Sequence, residues 1–497
     1  MSERRSLFYI KQCYIVLTMA QKKFYITTTL PYVNAKPHIG FALEIVQADA
    51  LARYRRLIGD EVFFNFGTDE HGQKIYQKAL EEGKEPQAYT DEYAASFDAL
   101  KHALNLSYDA FIRTTSPHHK QAAQEFWKRC EAAGDMYKKL YKIQYCVGCE
   151  LEKTDSELEQ GRCPLHPNAE LETREEENYF FRFSKYQDAL LKLYRREDFL
   201  IPRFRLNEML SLIEREGLSD FSISRLAEKM PWGVPVPGDS AQVMYVWFDA
   251  LGGYISTLGW PEDEKKFAAF WGTKERPNAV QCAGKDQVRQ QGAMWQAMLM
   301  SAGLPTTKQI FIHGFLTSGG QKMSKSLGNV IDPCALVAEY GTDAVRYYLL
   351  RHAHPYEDSD ITEAGVREAY NAHLANGLGN LVARVMKLAE DHLTAPVAIA
   401  DSPAMPDAWK PLEHYEFNRS LDIVWRSVQD LDALIQEQKP FAVVKTDTAR
   451  AQRQITHLVT EIARIAHRLA PFLPETSEKI LAAVRANKKP ETLFPRK

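Results

Sequence analysis

The stretch from Lys22 to Phe41 constrains the fold of this chain more than any other. Lys22 to Leu30 is rich in β-branched and aromatic residues and reads as a strand, residues 31–37 form a turn bracketed by Pro31 and Pro37, and a helix opens at His38-Ile39-Gly40-Phe41. That helix is expected to run to Leu57, with Ile39, Leu43, Val46, Ala50 and Tyr54 on one face. A second strand, Val62 to Phe66, ends in Gly67-Thr68-Asp69-Glu70-His71-Gly72. The alternation continues to about Ala133, where Ser116 as N-cap, Pro117 in the first turn and Gly134 as stop bracket a further helix. Alternation of this kind builds an α/β domain on a parallel sheet. Ligands of such sheets sit beyond the carboxyl ends of the strands, so the turn at 31–37 and the loop at 67–72 are expected to face one crevice.

Residues 135 to 235 break the rhythm with short β-rich pieces, among them Tyr137 to Tyr145 and Asn178 to Phe183, and read as an insertion. The parallel pattern is expected to resume around Val243, and Tyr245 to Ala250 reads as strand-like; a further parallel strand follows at Gln309 to Phe315. The α/β domain is therefore split in sequence. After Asp332-Pro333 the chain turns helical, and stretches at 364–392, 414–437 and 450–470 suggest a bundle interrupted by a Pro- and Ala-rich linker from Thr394 to Pro406. With 497 residues, 45% of them hydrophobic, three or four structural units can each bury a core. No transmembrane span is expected. Residues 5 to 18 could pass for a weak signal peptide, but Lys11 and Gln12 interrupt its apolar core, so an appended start ahead of Met19 and a cytoplasmic enzyme are the expectation. The net charge of −3, with 17 Lys plus Arg against 15 Asp plus Glu after residue 370, confines any RNA-binding surface to a local patch.

Two further clusters carry chemistry. Cys146-x-x-Cys149, thirteen residues, then Cys163-x-x-His166 supply three thiolates and an imidazole, a closed tetrahedral set for one structural Zn2+. Cys13, Cys130, Cys282 and Cys334 are isolated, a spread that points to metal and away from disulfides. Lys322-Met323-Ser324-Lys325-Ser326 places two lysines on a short serine-bearing loop, which alone reads as a solvated basic loop. Beside a strand, a tight turn and a helix N-terminus, which form a phosphate site, the lysines read as a polyphosphate clamp and imply chemistry on ATP.

Together the two motifs resemble the signature pair of class I aminoacyl-tRNA synthetases, and the surrounding sequence resembles methionyl-tRNA synthetases along nearly the whole chain. The resemblance implies an α/β fold in which a Rossmann-like nucleotide-binding domain is split by a zinc-binding connective insertion and followed by a C-terminal α-helical bundle. Its expected units are an N-terminal extension (1–20), the first half of the catalytic domain (21–134), the insertion with its zinc knuckle (135–235), the second half (236–320), the lysine loop with a connecting helical region (321–370), and an anticodon-binding bundle (371–497). It also implies ATP-dependent activation of L-methionine to methionyl-adenylate and transfer to the terminal ribose of methionine tRNA, in initiation and elongation, by a monomer. Related enzymes for leucine, isoleucine or valine share both signatures but usually carry a large editing insertion that this chain is too short to accommodate. A non-catalytic tRNA-binding paralogue is the other alternative; Lys322 and Lys325 stand against it, since a pure binding protein has no need of a pyrophosphate clamp.

The reaction sets the residue roles that the resemblance implies. A methionine carboxylate, already ionised at neutral pH, attacks the α-phosphate in line, so positioning and charge stabilisation matter and no general base is required. His38 and its helix amino-terminus suit the α-phosphate, Lys322 and Lys325 the β- and γ-phosphates with Mg2+ accompanying ATP, and Ser324 lies in the same loop. Gly40 lets adenine approach backbone, and in Gly284-Lys285-Asp286 the carboxylate of Asp286 accepts from the ribose hydroxyls. The methionine pocket falls on Leu30, Tyr32, Asp69, Trp247, Ala250, Leu251, Tyr254 and Gln291, with Asp69 on the α-ammonium group and aromatic walls around the thioether. Asn380 and Arg384, spaced i, i+4 on one helix face, match the family's anticodon-reading pair, and Phe441 stands where a stacking tryptophan is usual. The chain departs from the family pattern twice more: Phe41 replaces the second signature histidine and removes a donor, and Gln291 replaces a pocket histidine.

Overall fold

The computed structural model of the protein describes residues 21–149, 151–153, 158–323, 328–399 and 406–497. The N-terminal extension, Ser324, Lys325 and the middle of the 394–406 linker lie outside the described residues, as does the side chain of Lys322.

Six parallel strands carry the site: β1 (Lys23–Thr28), β2 (Glu61–Thr68), β3 (Ala110–Arg113), β4 (Leu200–Ile201), β5 (Ala279–Gly284) and β6 (Gln309–His313). Their order in space is β3-β2-β1-β5-β6-β4. From β1 the chain winds outward through β2 to β3, whereas β5 and β6 extend the other flank, so the winding reverses between β1 and β5. Outside the carboxyl ends of those two strands a crevice opens, the usual ligand position of a doubly wound sheet. Phe24 to Thr28 are all buried, as expected of a central strand covered on both faces. Helix α1 (Ile39–Leu57) follows β1 and buries the expected face of Ile39, Leu43, Val46, Ala50 and Tyr54. Helix α2 (Gln73–Glu81) follows β2, and α3 (Pro117–Ala132) follows β3 with the Ser116 hydroxyl accepting the His119 N–H at its cap.

Three elements differ from the sequence reading. The strand around Val243 (Asp239–Met244) is antiparallel: Gly238, at φ +78, turns it back on Pro235–Val236, and it pairs Gln242 with Leu226 and Met244 with Ser224. Parallel pairing returns only at β5, where Tyr25 faces Ala279 and Thr28 faces Cys282. The strand-like Tyr245–Ala250 is instead helix α4 (Val246–Ala250), because a short apolar run fits a buried helix as well as a buried strand. Leu200–Ile201, within the 135–235 stretch, adds the edge strand beside β6 through Ile310 and Phe311.

The long antiparallel ribbon of Met136–Cys146 and Glu172–Phe181 projects the cysteine cluster. Toward the C-terminus, helices Glu363–Ala369, α5 (Asn380–His392), Phe417–Gln438, Thr448–Leu469 and Pro474–Ala486 pack together, with widened π-helical turns over Tyr370–Gly379. One apolar core runs unbroken from the α1 face of the sheet into this bundle, and a second fills the opposite face. Among the described residues no helix is long and apolar enough to cross a membrane.

Candidate active site

His38 is the N-cap of α1. Its extended backbone starts the helix, and its Nδ1 accepts the Gly40 N–H at 3.1 Å. That bond assigns the ring proton of a neutral imidazole to Nε2, leaving a donor on the far edge of the ring. A Cβ on Gly40 would lie 2.8 Å from the His38 Cε1, so the glycine is required for the ring to fold over the helix end. Phe41 offers no donor: its ring lies 4.6 Å from that of His38 and edge-on to Phe97 at 5.6 Å, bracing the histidine from the core side. The lysine loop leaves the short pairing of Gln321–Lys322 with Leu316–Ser318, and its downstream arm returns to α1, where the Ile39 N–H donates to the Ile331 carbonyl at 3.0 Å. Gly284 ends β5 opposite His313, and Asp286 follows, exposed, in a single turn.

The eight methionine-pocket candidates lie on linked segments: the turn after β1, the loop after β2, residues 247–254, and Gln291, which bonds to Tyr254. Tyr32 and Asp69 are bridged backbone to backbone, with the Val33 N–H on the Asp69 carbonyl at 3.1 Å and the Asp69 N–H on the Pro31 carbonyl at 3.0 Å. Leu30 packs so closely on the following turn that a Cβ at Gly253 would sit 2.6 Å from its Cδ1. Ala250, Leu251 and Tyr254 are buried, and Trp247 is half-buried, its indole N–H sealed from solvent with no acceptor among the described residues. Gln291 is buried; its amide donates to the Tyr254 hydroxyl at 3.0 Å and to Thr29 Oγ1 at 3.3 Å, and accepts from Gln281 at 3.2 Å. Glutamine thus joins the pocket to the end of β1 and to β5 without carrying a titrating group. Burial, with the charges of Glu44 and Asp69 nearby, holds the Tyr254 phenol well above its ordinary pKa, so it is a neutral donor.

Buried ionisable residues and a half-buried tryptophan that sequence reasoning passed over hold these walls in place. Asp249 of α4 binds His71 Nδ1 at 2.6 Å and His119 Nε2 at 2.7 Å, joining the Asp69 loop, α4 and α3. Burial would raise its pKa, but the two imidazoles outweigh that and draw it down to about 2. Trp232 adds a bond from its indole N–H to the Glu70 carbonyl at 2.6 Å. On α1, Glu44 accepts the Thr29 N–H at 2.7 Å and pairs with His313 Nε2 at 2.8 Å; burial lowers the His313 pKa, and the bond and charge of Glu44 reverse this to a net rise. Asp249 and His71 are ionisable residues inside apolar or glycine-rich stretches, which marks them singly but does not announce their pairing.

In the insertion the donor atoms of Cys146, Cys149, Cys163 and His166 all lie within 4.8 Å of one another. The Cys149–Cys163 sulfurs are 3.4 Å apart, and His166 Nδ1 is 3.2 Å from the Cys149 sulfur and 3.8 Å from that of Cys146. Metal–sulfur bonds of about 2.3 Å in a tetrahedron imply edges of roughly 3.8 Å, so this donor set fits a closed metal site. Gly148 is needed beside it, since a Cβ there would meet the His166 ring at 2.6 Å. Far along the chain, Asn380 opens α5 and is exposed; Arg384, on the same face, pairs with Asp432 at 2.6 Å, and Phe441 is 48% exposed.

A family profile described as tRNA synthetases class I (M) matches residues 24–170 and 167–386. The chain is 45% identical over 482 residues to the methionine–tRNA ligase of Thermosynechococcus vestitus, covering 92% of this chain and 89% of that one. It is 41% identical to that of Rhizobium meliloti, with 93% and 91% covered. A solved structure of Mycobacterium tuberculosis methionyl-tRNA synthetase in complex with methionyl-adenylate matches it at a TM-score of 0.85 and 35% identity, over 96% of this chain and 98% of that one. Similarity sustained across both halves of the sheet, the insertion and the bundle has one reading: the chain belongs to the methionyl-tRNA synthetases of class I.

Proposed function

We propose that the protein is a methionine–tRNA ligase, which uses ATP to form methionyl-adenylate and passes the methionyl group to the terminal ribose of methionine tRNA. One arrangement supports this reading: the turn that leads from β1 into the histidine-capped α1 is paired through Tyr32 and Val33 with the loop that carries Asp69, and Leu30, Ala250, Leu251 and Tyr254 are buried. Asp69 binds the α-ammonium group, while Leu30, Tyr32, Trp247, Ala250, Leu251 and Tyr254 surround the side chain. The carboxylate of a methionine oriented in this way attacks the α-phosphate without a base, and the bond from the α-phosphorus to pyrophosphate breaks. His38 Nε2–H and the amino-terminus of α1 stabilise the charge that builds there. Gly40 keeps that end of the helix open, and Gly284 with Asp286 suits the ribose. Lys322, Ser324 and Lys325 take the departing pyrophosphate, and Mg2+ carried in with ATP supplies further positive charge.

Cys146, Cys149, Cys163 and His166 hold one Zn2+ that fixes the end of the insertion and takes no part in the chemistry. In this reading residues 371–497 bind the anticodon, with Asn380 and Arg384 on base edges and Phe441 as a stacking face. Arg384 must then leave or share Asp432, which pre-orients the guanidinium in the free enzyme. Charging assays test this arrangement. Arg384→Ala should lower charging of methionine tRNA about tenfold or more while leaving pyrophosphate exchange unchanged, as for the loss of one specific base contact. Equal charging of cognate and anticodon-swapped tRNA by the unaltered protein would refute anticodon reading.

A further inference from the structure

In the ligase reading the two ends of ATP fall on segments that the sequence keeps apart: Gly284 and Asp286 for the ribose, and the lysine loop for the pyrophosphate. A small sheet forms the root of that loop. The strands Gln321–Lys322, Leu316–Ser318 and Ser359–Asp360 lie side by side in that order, with Thr317 paired to Lys322 on one side and to Asp360 on the other. The first two strands are joined through Gly319 and Gly320, both left-handed at φ +62 and +73, a turn that glycine permits but does not stiffen. Asp360 closes it: its Oδ1 accepts the Gly320 N–H and the Thr317 hydroxyl, each at 2.8 Å.

Two residues earlier, Asp358 reaches the ribose segment. One of its oxygens accepts from Lys285 Nζ at 2.7 Å and the other from the Phe315 N–H at 2.9 Å. Lys285 stands between Gly284 and Asp286 in sequence, and its ammonium lies 4.8 Å from the centre of the Phe315 ring. The backbone at 357–358 passes so close to Gly314 that a Cβ there would lie 2.1 Å from the Glu357 carbonyl carbon. Burial would raise the Asp358 pKa, and the bonds from Lys285 and the Phe315 N–H outweigh it and keep the carboxylate charged. Both aspartates are exposed, where an ion pair adds only ~0–1 kcal/mol of stability. Their bonds matter for geometry instead, since they set the distance between the ribose segment and the root of the lysine loop, and a misplacement of about 1 Å can cost about 100-fold in rate.

We propose that Asp358 and Asp360 are positioning residues that hold the lysine loop in register with the ribose segment, so that the pyrophosphate of a ribose-anchored ATP meets its clamp. The proposal rests on the ligase reading above. Asp360→Ala removes the acceptor of the Gly320 N–H, and Asp358→Asn removes the charge that holds Lys285. Each should lower kcat for methionine-dependent exchange and raise the KM for pyrophosphate, about tenfold in each case, with the KM for methionine unchanged. Transfer to tRNA from preformed methionyl-adenylate needs no pyrophosphate clamp and should keep its rate. Asp360→Asn, which retains an oxygen for both donors, should restore exchange. The double variant should lose no more than the weaker of the two single variants, as for two ends of one strut. Unchanged exchange in either single variant would overturn the proposal, as would losses that multiply in the double variant. A joint loss of exchange, methionine affinity and transfer would also overturn it, since that is the mark of a general structural role. An unaltered enzyme that lacks exchange would instead remove the ligase reading beneath it.

Discussion

At position 41 the chain carries a phenylalanine, which braces His38 and offers no hydrogen-bond donor. The Phe41 ring holds His38 from the core side, 4.6 Å away, while the His38 Nδ1 bond to Gly40 directs its proton to the other edge. One transition-state donor is worth ~2.7–4 kcal/mol in well-studied sites, and the packing lost on replacing Phe41 is smaller because the ring is only half-buried. Phe41→His is therefore expected to speed pyrophosphate exchange about tenfold or more with little change in the KM for methionine; slower exchange by a folded variant would mean that the brace matters more than the donor. Asp249 gives a second test at this scale. Its pKa in the folded protein is drawn from the ordinary 3.8 down to about 2, so it contributes stability that is fully present above pH 4 and is lost as pH falls through 2. A shift of that size corresponds to about 2 kcal/mol. Asp249→Asn should lower stability at neutral pH and flatten the dependence of the melting temperature on acidity between pH 4 and 2; an unchanged acid profile would contradict the role given to the His71–Asp249–His119 cluster.

Among the elements, the insertion ribbon depends most plainly on something other than its own packing. Among the described residues its far end holds short turns around Cys149 and Cys163 and the short strand Leu151–Lys153, with Leu165 exposed on the surface. A bound ion there contributes folding free energy directly. Metal analysis should find about one zinc per chain, and Cys149→Ser should abolish it and lower the melting temperature while reducing exchange much less than charging. Zinc-free protein with an unaltered melting profile would remove the assignment. The same scale explains why some elements could be read from sequence and others could not. The first strand, α1 and α3 carry their own start and stop signals, such as the Ser116 cap and Gly134 at φ +73. Helix α4 has no such signal: five residues of apolar sequence are compatible with either period, and only the antiparallel pairing that ends at Met244 forces the chain to coil there. The two-residue strand Leu200–Ile201 has no local signal either, because its pairing is set by the distant β6.

Across the whole molecule, what the sequence hid are contacts between distant positions. His71 and His119 reach Asp249 across 178 and 130 residues, and no local pattern announces such a pair. Arg346 is the largest example. Fully buried, it pairs with Asp49 of α1 at 2.8 Å and donates to the carbonyls of Leu104 and Phe472 at 3.0 and 2.8 Å, tying the catalytic sheet to the helical bundle through one guanidinium. Burial would raise the pKa of Asp49, and Arg346 with Arg53 outweighs it and keeps the carboxylate charged. The α/β class, the split sheet and the metal cluster were legible because alternation and spacing are local properties; the bracing of the crevice was not, because it is built from long-range polar pairs. That crevice is the centre of the account, and methionine-dependent exchange of pyrophosphate into ATP tests it most directly. With the four amino acids methionine, leucine, isoleucine and valine compared side by side, exchange should be supported strongly by methionine alone, and Asp69→Ala should raise the KM for methionine about 10- to 100-fold with the KM for ATP nearly unchanged, the loss expected for one hydrogen bond to a charged group. Faster exchange with leucine or valine, or none with any of the four, would contradict it.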